Sequence, residues 1–203
     1  MDEQELILRM REGDETAFEA LVCLYEKKVY TLCFRMCGNA EDAQETAQDT
    51  FLAVWRSIGS FRQESSFSTW LYRLATNACI DLLRRNKRSG GGVSLDDEEA
   101  FIEVVDNAPL PQEELERKEA QRLIQEGLAS LPEDYRAILL LREVQGLSYA
   151  EIAESMHMEL GTVKSRISRG RMLLRNYLTA SGNFFERDAS KVTECNREER
   201  SAT

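Results

Sequence analysis

Between positions 161 and 177 the chain carries five bases, Lys164, Arg166, Arg169, Arg171 and Arg175, and no carboxylate, in a protein of 203 residues whose formal net charge is −10. Cations gathered this way suit a polyanion. An arginine offers a base edge two parallel donors, and either kind of cation can meet a phosphate. Val163, Ile167, Gly170, Leu174 and Leu178 interleave with them at helical spacing. At about 100° per residue, Lys164, Ser165, Ser168, Arg169 and Arg171 lie away from that stripe. Upstream, Ser148 and Glu151 have the spacing of a capping box, in which each side chain takes the other residue's backbone N–H. Ile152 and Ala153 then turn toward a core. A short turn from Met156 to Gly161 leads to Thr162, which opens the basic helix. Two short helices, the second basic and amphipathic, have the geometry that fits a DNA major groove. An ordinary helical hairpin with a solvated basic face is the alternative, but it does not account for seventeen residues without an acid in so acidic a chain.

A second cationic stretch spans 62–88, with six bases against Glu64 and Asp81. Wound as a helix from Phe67, it gathers Trp70, Arg73, Asn77, Asp81 and Arg84 on one surface beside the apolar stripe of Phe67, Leu71, Leu74, Ala78 and Leu82. Aromatics beside cations suit unstacked DNA, since every base has a π-face and every nucleotide a phosphate. An amide can read a base edge. Spacing alone also permits Trp70 to be a core aromatic at the edge of the stripe. A third surface differs in kind. In 42–55, Glu45, Gln48, Asp49 and Leu52 alternate with core positions, and an acidic face with an apolar residue suits a protein partner better than DNA. A solvated helix face is the plain alternative.

The elements that must position these groups are all helical. Phe18, Leu21, Val22, Tyr25, Val29, Leu32, Cys33 and Met36 follow the i, i+3, i+4, i+7 rule, and Ala47, Phe51, Val54 and Ile58 form another stripe. No alternating strand pattern stands out. Gly13-Asp14 reads as a helix stop followed by a new N-cap, Gly38-Asn39 as a turn, and Pro132 as the first turn of a helix. After Arg88, Ser89-Gly90-Gly91-Gly92 is a flexible break. The acidic stretch 94–119 holds ten acids and two bases. The fold class is therefore all-α: two small helical domains, 1–88 and 113–178, joined by a flexible acidic linker, 89–112. The residues 179–203 form a polar tail with Phe184, Phe185 and Cys195.

Other chemistry finds little support. The five cysteines, Cys23, Cys33, Cys37, Cys79 and Cys195, include no C-x-x-C pair, and Cys33 and Cys37 read as small core residues. His157 is the lone histidine and cannot make a zinc site by itself. No phosphate-binding glycine loop or nucleophile–histidine pair occurs, so neither an enzyme nor a cofactor is expected. No run approaches the ~18 apolar residues of a membrane span, and an acidic, helix-like N-terminus is not a secretory signal. A cytoplasmic protein without membrane insertion is expected.

The blocks DAQETAQDTFLAVWRSIGSFR, SSFSTWLYRLATNACIDLLRR and LPEDYRAILLLREVQGLSYAEIA with GTVKSRISRGRMLLR resemble those of the extracytoplasmic-function sigma factors, the small two-domain members of the sigma-70 family. The resemblance covers about residues 1–178. It implies that Asp49, Phe51 and Trp55, with Glu45, Gln48 and Leu52 around them, dock on the β′ coiled coil of core RNA polymerase. It implies that Trp70 and Asn77 open the −10 element and capture a flipped base while Arg73, Arg84 and Arg85 hold phosphates. Thr162, Lys164, Ser165, Arg166, Ser168, Arg169 and Arg171 would read the −35 element, in a domain that also meets the β flap. The linker would thread through the polymerase, and an anti-sigma factor would mask both domains. A free-standing helix-turn-helix regulator is the rival reading, and it leaves the 42–55 and Trp70/Asn77 surfaces without a role.

Overall fold

The computed structural model describes residues 2–88 and 111–181, with side chains from 117 onward in the second stretch, and no strand occurs among them. Four helices build the first half: α1 (Glu3–Arg11), α2 (Glu15–Cys37), α3 (Ala40–Ser57) and α4 (Phe67–Arg88), with a 3-10 turn at Ile58–Ser60. Four more build the second: α5 (Pro111–Ser130), α6 (Glu133–Glu143), α7 (Tyr149–Ser155) and α8 (Leu160–Ser181). Helix α5 thus starts inside the stretch read as linker, and α8 runs into the stretch read as tail. Residues 89–110 and 182–203, the rest of those two stretches and Cys195 with them, lie outside the described residues.

The helix ends follow the local chemistry. Gly13, with φ of 86°, takes the left-handed turn that an L side chain resists. Asp14 then caps α2, its Oδ1 accepting the N–H of Thr16 at 2.9 Å and of Ala17 at 3.3 Å. Gly38 ends α2 in the left-handed conformation, its N–H donating to the Phe34 carbonyl at 2.9 Å. Asn39 at once caps α3 by accepting the N–H of Asp42 at 2.8 Å. Pro132 lies one residue outside the first turn, at the N-cap of α6.

Leu21, Val29, Leu32, Met36, Val54 and Leu71 are buried between α2, α3 and α4, each contributing about 1.5–3 kcal/mol by leaving water. Cys33, Cys37 and Cys79 pack in the same core as free thiols, and Cys23 is exposed. Ile138, Leu141, Ile152, Val163 and Ile167 are buried in the second half, in a hydrophobic cluster continuous with that of the first. There Gly170 packs against α6, and a Cβ at that position would meet the Tyr135 carbonyl at 3.7 Å, an ordinary van der Waals contact.

The two halves are packed together. Helices α2 and α4 meet α5, α6 and α7. The Gln125 side-chain amide of α5 donates to the carbonyls of Phe34 and Arg35, both at 3.3 Å. The Arg136 guanidinium of α6 donates to the Met36 carbonyl and, within its own half, to Ala129 at 2.7 Å and Leu131 at 3.2 Å. The last carbonyls of a helix have no partner within it, so the second half completes the end of α2.

Candidate nucleic-acid interface

The capping box is formed. Ser148 Oγ accepts the N–H of Glu151 at 3.2 Å, and the Ser148 N–H donates to Glu151 Oε2 at 2.8 Å. Hydrogen bonding from Ser148 holds the Glu151 carboxyl below its usual range. Helix α7 then stops after about two turns. His157, with φ of 51°, turns the chain, and α8 begins at Leu160. Val163, Ile167 and Gly170 face the core, Thr162 is half-buried, and Lys164, Ser165, Ser168, Arg169 and Arg171 are exposed. Ser165 Oγ donates to the Thr162 carbonyl at 2.9 Å. Arg171 Nε donates to Glu143 Oε1 at 2.9 Å, and that bond raises its pKa. A shallow groove beside these residues is also lined by Tyr149, Arg175 and Asn176. Tyr149 and Asn176 carry no charge, and charge was the signal that marked this stretch.

Arg166 stands apart from that face. It is half-buried against α6, its Nη1 3.2 Å from Asp134 Oδ2 and its guanidinium 5.9 Å from the centre of the Tyr135 ring.

On α4 the structure corrects one placement. Trp70 is not on the surface with the cations. It is 6% exposed, with ring centroids 5.0 Å from Phe61 and 5.9 Å from Phe67. A helical wheel places a side chain relative to its own helix only. The segment before α4 folds back and sets Phe61 on that flank, which widens the buried arc to include Trp70. Asn77, Arg84 and Arg85 are exposed, and Arg73 is half-buried. A groove between α3 and α4 brings Asp49 beside Asp81, Arg84, Arg85 and Arg88. It places one residue assigned to a protein contact next to two assigned to DNA. Arg88, at the last position of α4, went unassigned because it adjoins the glycine run.

Along α3, Glu45, Gln48, Asp49 and Leu52 form an exposed face, whereas Phe51 and Trp55 are half-buried. Trp55 lies 5.0 Å from the Phe18 ring, so it supports the face from beneath. Among the described residues no group of three His, Cys, Asp or Glu is placed to hold a metal ion, and no helix is long and apolar enough to cross a membrane.

Two helical modules, one with a basic helix-turn-helix and one with a cationic helix backed by aromatics, define a sigma-70 type of architecture. Residues 21–89 match sigma-70 region 2, and residues 121–174 match sigma-70 region 4. The sequence is 38% identical to the ECF RNA polymerase sigma factor SigW of Bacillus subtilis over 179 residues, 85% of this chain and 94% of that protein. It is 35% identical to the ECF RNA polymerase sigma-E factor of Escherichia coli over 183 residues, 87% of this chain and 94% of the relative. The fold is similar to the sigma factor RpoE in complex with the anti-sigma factor NepR from Bartonella quintana, with a TM-score of 0.61, 25% identity, and coverage of 80% of this chain and 96% of that one. CnrH in complex with the cytosolic domain of CnrY shares the fold at a TM-score of 0.64 and 23% identity, over 89% of this chain and 99% of that one. The chain belongs to the extracytoplasmic-function sigma factors of the sigma-70 family, and its role lies in transcription initiation and promoter recognition.

Proposed function

We propose that the chain joins core RNA polymerase, places it at a promoter through two DNA contacts and stabilises the melted strand. The exposed face of α8 carries this reading: Lys164, Ser165, Ser168 and Arg169 project from a helix set at its angle by a capped partner. In this reading that face enters the major groove of the −35 element, with Arg171 and Thr162 at its margins. Asn77 contacts a base of the −10 element, and Arg73, Arg84 and Arg85 hold phosphates. Flipping a base costs a few kcal/mol, which a fitted pocket offsets. Trp70, being buried, supports that surface from below. Glu45, Gln48, Asp49 and Leu52 dock on the β′ coiled coil, and the second half meets the β flap. The chain works by binding alone, as a cytoplasmic protein without catalytic residue or cofactor. The domain limits proposed are 1–88 and 113–178, with the linker 89–112 between them. Like RpoE of Bartonella quintana, it has an anti-sigma factor as partner.

In vitro transcription with core polymerase on a genomic library tests this. Promoter-specific transcripts that depend on the chain are expected. Asp49→Ala should weaken binding to core in a titration, since an acidic contact is lost. A chain that binds duplex DNA but neither co-elutes with core polymerase nor directs transcripts would instead be a free-standing regulator.

A further inference from the structure

The end of α6 reaches the exposed face of α8 and holds one of its cations. Arg142 and Glu143 are the last two residues of α6. Arg142 Nη1 donates to the Leu147 carbonyl at 2.8 Å, and its guanidinium lies 5.0 Å from the centre of the Tyr149 ring. Between them Gly146, with φ of 75°, turns the chain. Tyr149, the first residue of α7, is thereby fixed from both its backbone and its ring. Glu143 meets α8 directly. Its Oε1 accepts from Arg171 Nε at 2.9 Å and also from Arg171 Nη2. The Tyr149 side chain adds a hydrogen bond to the same guanidinium. Arg171 shares one row of α8 with Lys164, Ser168 and Arg175, and all four line the groove that Tyr149 borders.

The shape of the guanidinium decides what this hold leaves available. It has five N–H donors in a planar fork. Glu143 occupies the Nε side. The Nη1–Nη2 end keeps two parallel donors, the arrangement that a phosphate accepts in bidentate fashion. Arg171 lies about 14 Å along the helix from Thr162, beyond the N-terminal turns that reach base edges in a helix-turn-helix. A contact there falls on the DNA backbone. Such contacts carry no sequence information themselves, but they set the register in which the base contacts are made. A long side chain that is already oriented has less rotamer freedom to lose on binding.

We propose that Glu143 and Tyr149 are positioning residues for promoter recognition: without touching a base, they aim Arg171 at one phosphate beside the −35 element and so fix the register of α8 in the major groove. This inference rests on the reading of α8 as the −35 helix. The ion pair is half exposed, with 51% and 47% of the two side chains accessible, so it adds little to stability. Its effect falls on binding instead.

The test compares the full-length wild type with Glu143→Ala, Arg171→Lys and the double variant. Fluorescence anisotropy reads binding to two 20-base-pair duplexes, one selected by the wild type from a randomised library and one of random sequence. The ratio of the two dissociation constants is the measure, because loss of a carboxylate strengthens binding to any duplex and cancels in the ratio. Each single variant should lower that ratio by about 3–10-fold, with little change in melting temperature. The double variant should lose no more than either single one, since Glu143 acts through a fork that lysine does not have. Tyr149→Phe should give a smaller loss in the same direction. If Glu143→Ala tightened binding to both duplexes alike, Glu143 would only screen Arg171, and the positioning role would be overturned. Additive losses in the double variant, or a wild-type ratio in Arg171→Lys, would overturn it too. A wild type that selects no sequence overturns the positioning role; it strikes the proposed function only if transcription with core polymerase fails as well.

Discussion

Arg136→Ala should be among the most damaging substitutions of a polar residue in this protein. The guanidinium is 6% exposed and serves three carbonyls, those of Met36, Ala129 and Leu131. Hydrogen bonds from an ionised donor contribute about 1.5–3 kcal/mol each, so the gross loss is about 4–9 kcal/mol. Against this stands the cost of burying the group. Its Nε has no partner, and desolvation pushes its pKa down. Removing the ion recovers several kcal/mol of that penalty, and water entering the vacated space can satisfy part of the exposed backbone. The net loss should be about 2–4 kcal/mol, read as a lower midpoint in urea denaturation followed by circular dichroism. Arg136→Lys should recover little of it, because an ammonium keeps the charge but cannot span carbonyls that a planar fork reaches together. A loss below about 1 kcal/mol, or full rescue by lysine, would refute this account of the fork.

Ser148→Ala removes the side-chain acceptor of the Glu151 N–H at the N-cap of α7, and should cost about 1 kcal/mol, a fall in melting temperature of about 2–4 °C for a chain of this size; an unchanged melting temperature would show that the cap contributes nothing. Arg169→Ala should weaken binding at one double-stranded promoter element and lower the salt slope by about one if it meets a phosphate, and an unaltered footprint there would remove Arg169 from the interface. Asn77→Ala should impair promoter opening more than polymerase binding, and normal permanganate reactivity of the −10 region would contradict that role. Acid should destabilise the fold through its capping carboxylates. The Thr16 hydroxyl and the Arg9 guanidinium lower the Asp14 pKa to about 2, against ~3.9 for an unfolded Asp. The unfolded chain takes the proton first, so the stabilisation is fully present above about pH 4 and is lost as pH falls toward 2. Asp14→Asn keeps the cap but cannot titrate, so its melting temperature should fall less steeply over that window than the wild type's; parallel profiles would rule Asp14 out.

The helices were legible because their signals are local. A capping box, a glycine in the left-handed region and an apolar stripe each act within a turn or two, as Ser148, Gly38 and the Val163 stripe illustrate. The exposed face of α8 was legible for the same reason. Trp70 was not, because Phe61 covers it from outside its own helix. Arg166 was not, because its partner Asp134 lies 32 residues earlier in the chain, and no periodicity links the two. Nothing in the spacing of Gln125 or Arg136 announces that their side chains finish a helix in the other half.

That last arrangement bears on how the protein is made. Arg136 reaches a carbonyl 100 residues earlier in the chain. At about 5–20 residues per second of synthesis, the end of α2 waits about 5–20 s on the ribosome before its closing donor exists. During that interval the carbonyls of Arg35 and Met36 lack the donors that Gln125 and Arg136 later bring. A chaperone or polymerase met then would find that end before the chain's own C-terminal half could.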